Sequence, residues 1–178
     1  MKQQMHKMKD ITVILPIHEI TSSETKWLKM AINSVNLQTE LPEKLIIVYN
    51  PSFEDIIKES ITDEETSNIK NLIEYLPNTS GEYDFCNQIN FAVSHVKTEY
   101  FSFIEYDDEY SRIWFKNVKK YMDIYSEVDL FLPIVVETDT NGNFISFTNE
   151  SVWAKDFSEE MGVLDNNTLS RYANYNFE

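Results

Sequence analysis

The segment ITVILPIHEITSSETKWLKMAINSVNLQTELPEKLIIVY, residues 11–49, decides the fold. Its opening run, Ile11–Ile17, is β-branched and almost unbroken in apolarity, the pattern of a strand covered on both faces in a parallel sheet. Hydroxyls at residues 21–23 are placed to cap a helix. In that helix Trp27, Leu28, Ala31, Ile32 and Val35 recur at helical spacing, and Pro42 falls beyond its end. A second apolar run at residues 45–49 stops at Asn50-Pro51-Ser52, a strong turn signal. Strand, helix, strand in this order is a βαβ unit, the building block of an α/β fold.

Working outward, residues 53–71 are acidic and helix-permissive, with Ile56, Ile57, Ile61 and Ile69 as anchors. Residues 72–76 read as a third short strand. Phe85, Ile89, Ala92, Val93 and Val96 then trace one face of a helix, which puts Cys86 on the inward side near Phe85 and Ile89 as a small buried hydrophobe. His95 falls on the same helix without an acid partner and reads as structural or surface. Residues 100–104 (YFSFI) form a further buried strand. Residues 111–125 are helical by period, with Trp114, Val118, Tyr121, Met122 and Tyr125 facing inward. Residues 130–136 read as a strand that Asn141-Gly142-Asn143 turns into a partner at residues 144–147, a β-hairpin. Helical periodicity is faint at residues 152–157 and 168–173. No repeat or linker marks a second domain, so residues 1–178 are expected to form one.

Composition narrows the chemistry. Three glycines, Gly81, Gly142 and Gly162, lie too far apart for a P-loop or a G-x-G-x-x-G phosphate cradle. The single cysteine rules out an intrachain disulfide and a Cys-cluster metal site, and His6, His18 and His95 lack metal-ligand spacing. The start, MKQQMHKMKD, carries positive charge with no apolar run behind it, so no secretory signal is read and a cytoplasmic location is expected. No apolar stretch approaches the roughly 20 residues of a transmembrane helix. Thirty acids against fifteen Lys plus Arg give a formal charge of −15. Such a field repels nucleic acid and anionic membranes, and a small anionic ligand needs a local offset such as a divalent cation.

The most informative cluster is Glu105-Tyr106-Asp107-Asp108-Glu109, directly after the strand at residues 100–104. Ligands of open α/β sheets bind outside the carboxyl ends of the strands, where these carboxylates would stand over the cleft. Hard oxygen donors suit Mg²⁺ or Mn²⁺, which bind through one or two carboxylates and share the phosphates of a ligand. Read alone, the run is better taken as a solvated turn in an acidic protein, since charge runs are usually exposed faces.

The wider stretch NFAVSHVKTEYFSFIEYDD, residues 90–108, resembles the family 2 glycosyltransferases of the GT-A fold. Their pattern is Asn-x-Gly, then Ala-x-Gly-x-Tyr, an apolar strand and Asp-x-Asp-Asp. Asn90, Tyr100, Asp107 and Asp108 match at the family's spacing, whereas Ala92, Val96 and Thr98 replace Gly, Ala and Gly, and Glu105 replaces the first Asp. VILPIHE at residues 13–19 is similar to the family's first strand with its Pro-x-Tyr-Asn ending. AINSVNLQT at residues 31–39 is similar to its Ala-Ile-x-Ser-Val-x-x-Gln-Thr helix.

The resemblance implies a GT-A-like, Rossmann-type α/β three-layer sandwich, its mostly parallel central sheet flanked by helices. A nucleotide-binding half would cover about residues 11–125 and an incomplete acceptor half about residues 126–178. It implies a nucleotide-diphosphate sugar as donor, Mn²⁺ or Mg²⁺ at Asp107, and inverting transfer to an acceptor hydroxyl. Asp108 would support the metal or sugar, Glu105 would lie near the ribose, and Asn90 would line the donor site. His18 with Glu19 stands where the family holds the base by an aromatic. Asn50 stands in place of an Asp that reads the base edge: the amide keeps hydrogen-bonding capacity, but the carboxylate is gone and Pro51 removes a backbone donor. Glu137, Asp139 and Asp165 are the carboxylates available as general base, and no catalytic residue is assigned among them. The altered motif leaves a second expectation, a binding or structural protein that keeps the fold without turnover. A homo-oligomer or partner chain could complete the acceptor side.

Overall fold

The computed structural model describes residues 10–133, 135–139 and 141–147. The chain divides into two compact units, Met1–Tyr125 and Ser126–Glu178. The first is built on a sheet of four strands, β1 (Ile11–Ile17), β2 (Lys44–Tyr49), β3 (Ile73–Pro77) and β4 (Tyr100–Phe103), in the order β3-β2-β1-β4. Every pairing is parallel. All of β1 is buried and so is β2 from Leu45 onward, as their unbroken apolar runs require of central parallel strands. Thr12, the polar member of β1, bonds the Thr98 hydroxyl at 2.7 Å. Pro77 ends β3 on the outermost strand, where no ladder donor is lost.

Helix α1 (Thr25–Asn36) joins β1 to β2, and α2 (Glu54–Ser60) and α3 (Asp63–Thr66) join β2 to β3. Right-handed crossovers put these helices on one face. Because β4 lies on the far side of β1, α4 (Phe85–Val93) is sent to the opposite face, which completes three layers. Leu28, Ala31, Ile32 and Val35 of α1 are buried as their spacing predicts. On the other face Ala92 packs with Ile14, Ile46 and Val48, bordered by Leu76, Phe91 and Val96. Helix α5 (Trp114–Ile124) follows β4 and buries Phe115, Val118 and Met122.

Several expectations change at this level. The hydroxyls of residues 21–23 do not cap α1, whose N-cap is Glu24. They are spent inside their own turn, in which the Thr21 amide and hydroxyl both donate to Glu24 Oε2. Cys86 is exposed, because the buried side of α4 runs through Gln88 and Ala92 and Cys86 lies about 200° around from Gln88. Of the expected anchors in residues 53–71, Ile57 and Ile69 are buried while Ile56 and Ile61 are half-buried. Trp114, Tyr121 and Tyr125 are also half-buried, and Phe115 takes the deep position. The strand at residues 100–104 is not fully buried: Phe101 is 45% and Phe103 51% exposed, since α4 packs on β1 and β2.

In the second unit β5 (Val136–Thr138) pairs antiparallel with β6 (Phe144–Phe147). The hairpin is therefore present, but its first strand begins at Val136, where the expected strand at residues 130–136 ends, and runs on to Thr138. Asp139 closes its loop by accepting the amides of Asn141 and Asn143, and Gly142 takes φ +79°, which an L side chain resists. The helical periodicities at residues 152–157 and 168–173, and Asp165, lie outside the described residues. Among the described residues no helix is long and apolar enough to cross a membrane.

Candidate functional site

The strand order changes direction at β1: the chain leaves it toward β2, while β4 lies on its other side. Loops leaving the carboxyl ends of two such strands diverge and open a crevice. His18 and Glu19 follow β1 there, and the acidic run follows β4. The Ile104 amide donates to the Ile14 carbonyl at 3.0 Å, which carries the pairing up to the rim. The next residue is Glu105. Its carbonyl accepts the Asp108 amide at 3.2 Å, a tight turn with Tyr106 and Asp107 at the tip. Asp107, Asp108 and Glu105 are all exposed.

The two loops are electrostatically joined. Partial burial raises the Glu105 carboxyl above its ordinary pKa, the charges of Asp108 and then Asp107 raise it further, and His18 opposes them. Burial likewise raises the Tyr106 phenol, helped by Glu24 and Glu19 from the β1 side and by Asp107 and Glu105 from its own. The His18 ring, 35% exposed, places Nε2 3.8 Å from Glu19 Oε1, while its buried Nδ1 has no hydrogen-bond partner among the described residues. Edge-on aromatic contacts run from His18 to Phe85 (6.4 Å) and from Phe85 to Phe103 (6.2 Å).

The acidic turn is lashed down behind its tip. The Tyr110 hydroxyl donates to the Phe103 carbonyl at 2.8 Å and meets Ser102 Oγ at 2.7 Å, and the Tyr110 amide donates to Ser34 Oγ at 3.1 Å. Its ring stacks on Trp114 and meets Phe115 edge-on. Gln38, just past α1, donates from Nε2 to the carbonyls of Ser34 (2.9 Å) and Ser111 (2.8 Å) and accepts the Phe115 amide at 3.3 Å. Ser34 and Gln38 are the Ser and Gln of the AINSVNLQT block, so that block holds the acidic turn in place from the neighbouring helix. In the sequence Ser34 and Gln38 are only letters of that block and Trp114 only an inward helix position; the block's polar positions on an otherwise apolar helix are the signal for this bracing role.

Asn50 follows β2 at the same end of the sheet. Its Oδ1 accepts the amide and hydroxyl of Ser52, so Nδ2 is the side chain's remaining hydrogen-bonding group. Asn90 is exposed on α4, about 200° around from buried Gln88. Glu137, in β5, accepts the Ser146 hydroxyl, and Asp139 is engaged in the hairpin loop.

Among the described residues no three His, Cys, Asp or Glu side chains stand together as a ready metal site. The acidic turn does fit a hard divalent cation in the manner such ions bind beside phosphates, through one or two carboxylates with ligand oxygens and water completing the shell. Burial is the main cause that raises Glu105, and the smaller repulsion from Asp108 and Asp107 is the part a cation would relieve.

Among solved structures, S. aureus TarS residues 1–349 superposes with a TM-score of 0.51 at 15% identity, over 66% of this chain and 33% of that one. A structure of the same fragment in complex with UDP-GlcNAc gives 0.48 at 21% identity, over 66% and 32%. The 4-diphosphocytidyl-2C-methyl-D-erythritol synthase of Anaerococcus prevotii gives 0.45 at 12% identity, over 96% and 85%. The chain thus spans about a third of the TarS fragment, and at this identity the likeness speaks for the fold alone. No curated protein matches the chain. The sequence pattern of Glycosyl transferase family 2 matches residues 12–176, from β1 through the acidic turn and beyond β6. With that match spanning most of its length, the chain belongs to glycosyl transferase family 2.

Proposed function

We propose that the chain carries the donor-binding half of a glycosyltransferase, which takes a nucleotide-diphosphate sugar and transfers the sugar with inversion to an acceptor hydroxyl. The observation that carries this reading is the meeting of the β1 and β4 loops at the switch point, where Glu105 feels the charges of Asp108 and Asp107 from its own turn and of His18 from the β1 loop. Asp107, supported by Asp108, would hold Mg²⁺ or Mn²⁺, which when bound neutralises the diphosphate and stabilises it as leaving group. Glu105 would accept hydrogen bonds from the ribose hydroxyls. The His18 ring, through its partly exposed face, and the Asn50 amide, through Nδ2, would flank the base. In the transfer, the acceptor oxygen would give up its proton to a carboxylate base and bond to the anomeric carbon as the bond to the diphosphate oxygen breaks and the nucleoside diphosphate leaves.

A second reading, donor binding without turnover, draws on Asn50: its oxygen is committed to Ser52 and it brings no carboxylate to the base. Calorimetric titration of UDP and GDP sugars with Mn²⁺, followed by hydrolysis and transfer assays, separates the two. Metal-dependent binding with turnover, both abolished by Asp107→Ala, is the expected result. Binding without turnover supports the second reading, and no binding at millimolar ligand overturns both.

A further inference from the structure

Two fully buried amides, Gln88 on α4 and Asn78 just after β3, connect the carboxyl ends of β1 and β2. Ile17 and Tyr49 are the last residues of those strands and are register partners. The Ile17 carbonyl accepts Gln88 Nε2 at 3.2 Å, and the Tyr49 carbonyl accepts the Asn78 backbone amide at 2.8 Å. Asn78 Nδ2 closes the bridge by donating to Gln88 Oε1 at 3.1 Å, and also donates to the Glu82 carbonyl. Asn78 Oδ1 accepts the Ser80 amide at 2.9 Å.

The orientations of both amides are dictated by backbone groups that can play only one role. The Ser80 N–H can only donate, which sets the Asn78 oxygen toward it and its nitrogen toward Gln88. The Ile17 carbonyl can only accept, which sets the Gln88 nitrogen toward β1 and its oxygen toward Asn78. A buried primary amide is costly unless its donors and acceptor are met. Here they are met only while both strand ends keep their present positions. The residues that follow those ends are His18 and Asn50, the two assigned to the base side of the donor site.

We propose that Gln88 is a positioning residue which, through Asn78, holds the His18 and Asn50 loops in register and so sets affinity for the nucleoside end of the donor. The assignment rests on the donor-binding reading above. An apolar replacement of similar length, Gln88→Met, keeps the packing of α4 while leaving the Ile17 carbonyl and one Asn78 donor unpaired.

The test combines ligand-free amide hydrogen exchange with UDP titration in the presence of Mn²⁺, on wild type and Gln88→Met, at a temperature where both are folded. Expected are faster exchange at Asn78 and Ser80, whose amides bond the Tyr49 carbonyl and Asn78 Oδ1, unchanged exchange in α1, and UDP binding weakened about tenfold. UDP bound equally well by both proteins, or exchange unaltered at Asn78 and Ser80, overturns the proposal. If wild type binds no nucleotide, the donor reading fails by itself. The exchange arm then decides the clamp: faster exchange at these two amides supports it and unaltered exchange removes it.

Discussion

Gln38 Nε2 donates to the Ser111 carbonyl at 2.8 Å, joining the end of the first helix to the segment that leaves the acidic turn. The two residues are 73 positions apart in sequence. The same buried side chain also accepts the Phe115 amide, so it fills the gap between α1 and the start of α5 with hydrogen bonds rather than apolar contact. Gln38→Leu keeps the volume and leaves those backbone groups without partners. Unfolding in urea is expected to show a loss of about 2–4 kcal/mol, several unsatisfied buried groups at the usual cost of each. A loss within about 0.5 kcal/mol, the range of ordinary surface substitutions, would mean that water replaces the amide without penalty.

Tyr110 holds the turn from the other side. Burial raises its phenol far above the ordinary tyrosine range, outweighing the bond to Ser102. The folded state therefore keeps this proton at pH values where the unfolded chain has lost it. Stability should fall as pH rises through about 10, the pKa of an unperturbed tyrosine. Tyr110→Phe removes that loss. Thermal melts between about pH 8 and 11 should show a shallower alkaline decline in the variant, offset at neutral pH by roughly 1–2 kcal/mol for the bond to the Phe103 carbonyl. Parallel declines in both proteins would take Tyr110 out of the alkaline transition.

Cys86 gives a direct reading of the rotation of α4. With Gln88 and Ala92 turned inward, the thiol faces solvent. A colourimetric thiol reagent should titrate the single cysteine in the native protein nearly as fast as in denaturant. Reaction only after unfolding would mean that the helix presents another face to the sheet.

The contrast between Cys86 and Gln88 shows what the sequence could and could not disclose. Apolar periodicity located β1, β2, α1 and α4, because burial repeats with the pitch of each element. A buried glutamine is invisible to that signal, since its burial is justified by one carbonyl of β1 and an amide from beyond β3. Phe101 and Phe103 mislead in the opposite direction: alternation tells which side of a strand is apolar, but not whether a helix covers it. At the site, the order of strand and acidic run put Glu105, Asp107 and Asp108 at the rim without any coordinates. What held them there, Tyr110, Ser34 and Gln38, depended on contacts between distant segments.

Glu105 connects the electrostatics of the turn to a measurable pH dependence. Burial raises its carboxyl pKa, and the charges of Asp108 and Asp107 raise it further. Between the ordinary glutamate value of about 4.3 and this raised value, the folded state binds more protons than the unfolded chain. The charge on Glu105 therefore costs stability that appears as pH rises through this window. Glu105→Gln removes the cost. The melting temperature of the variant should match that of wild type near pH 4 and exceed it near neutrality, with the gap opening across the carboxylate range. Mn²⁺ should narrow the gap by stabilising the ionised wild-type turn more than the variant. A gap that is constant with pH would mean that Glu105 titrates as an ordinary surface carboxylate, and the two loops would then share no common field.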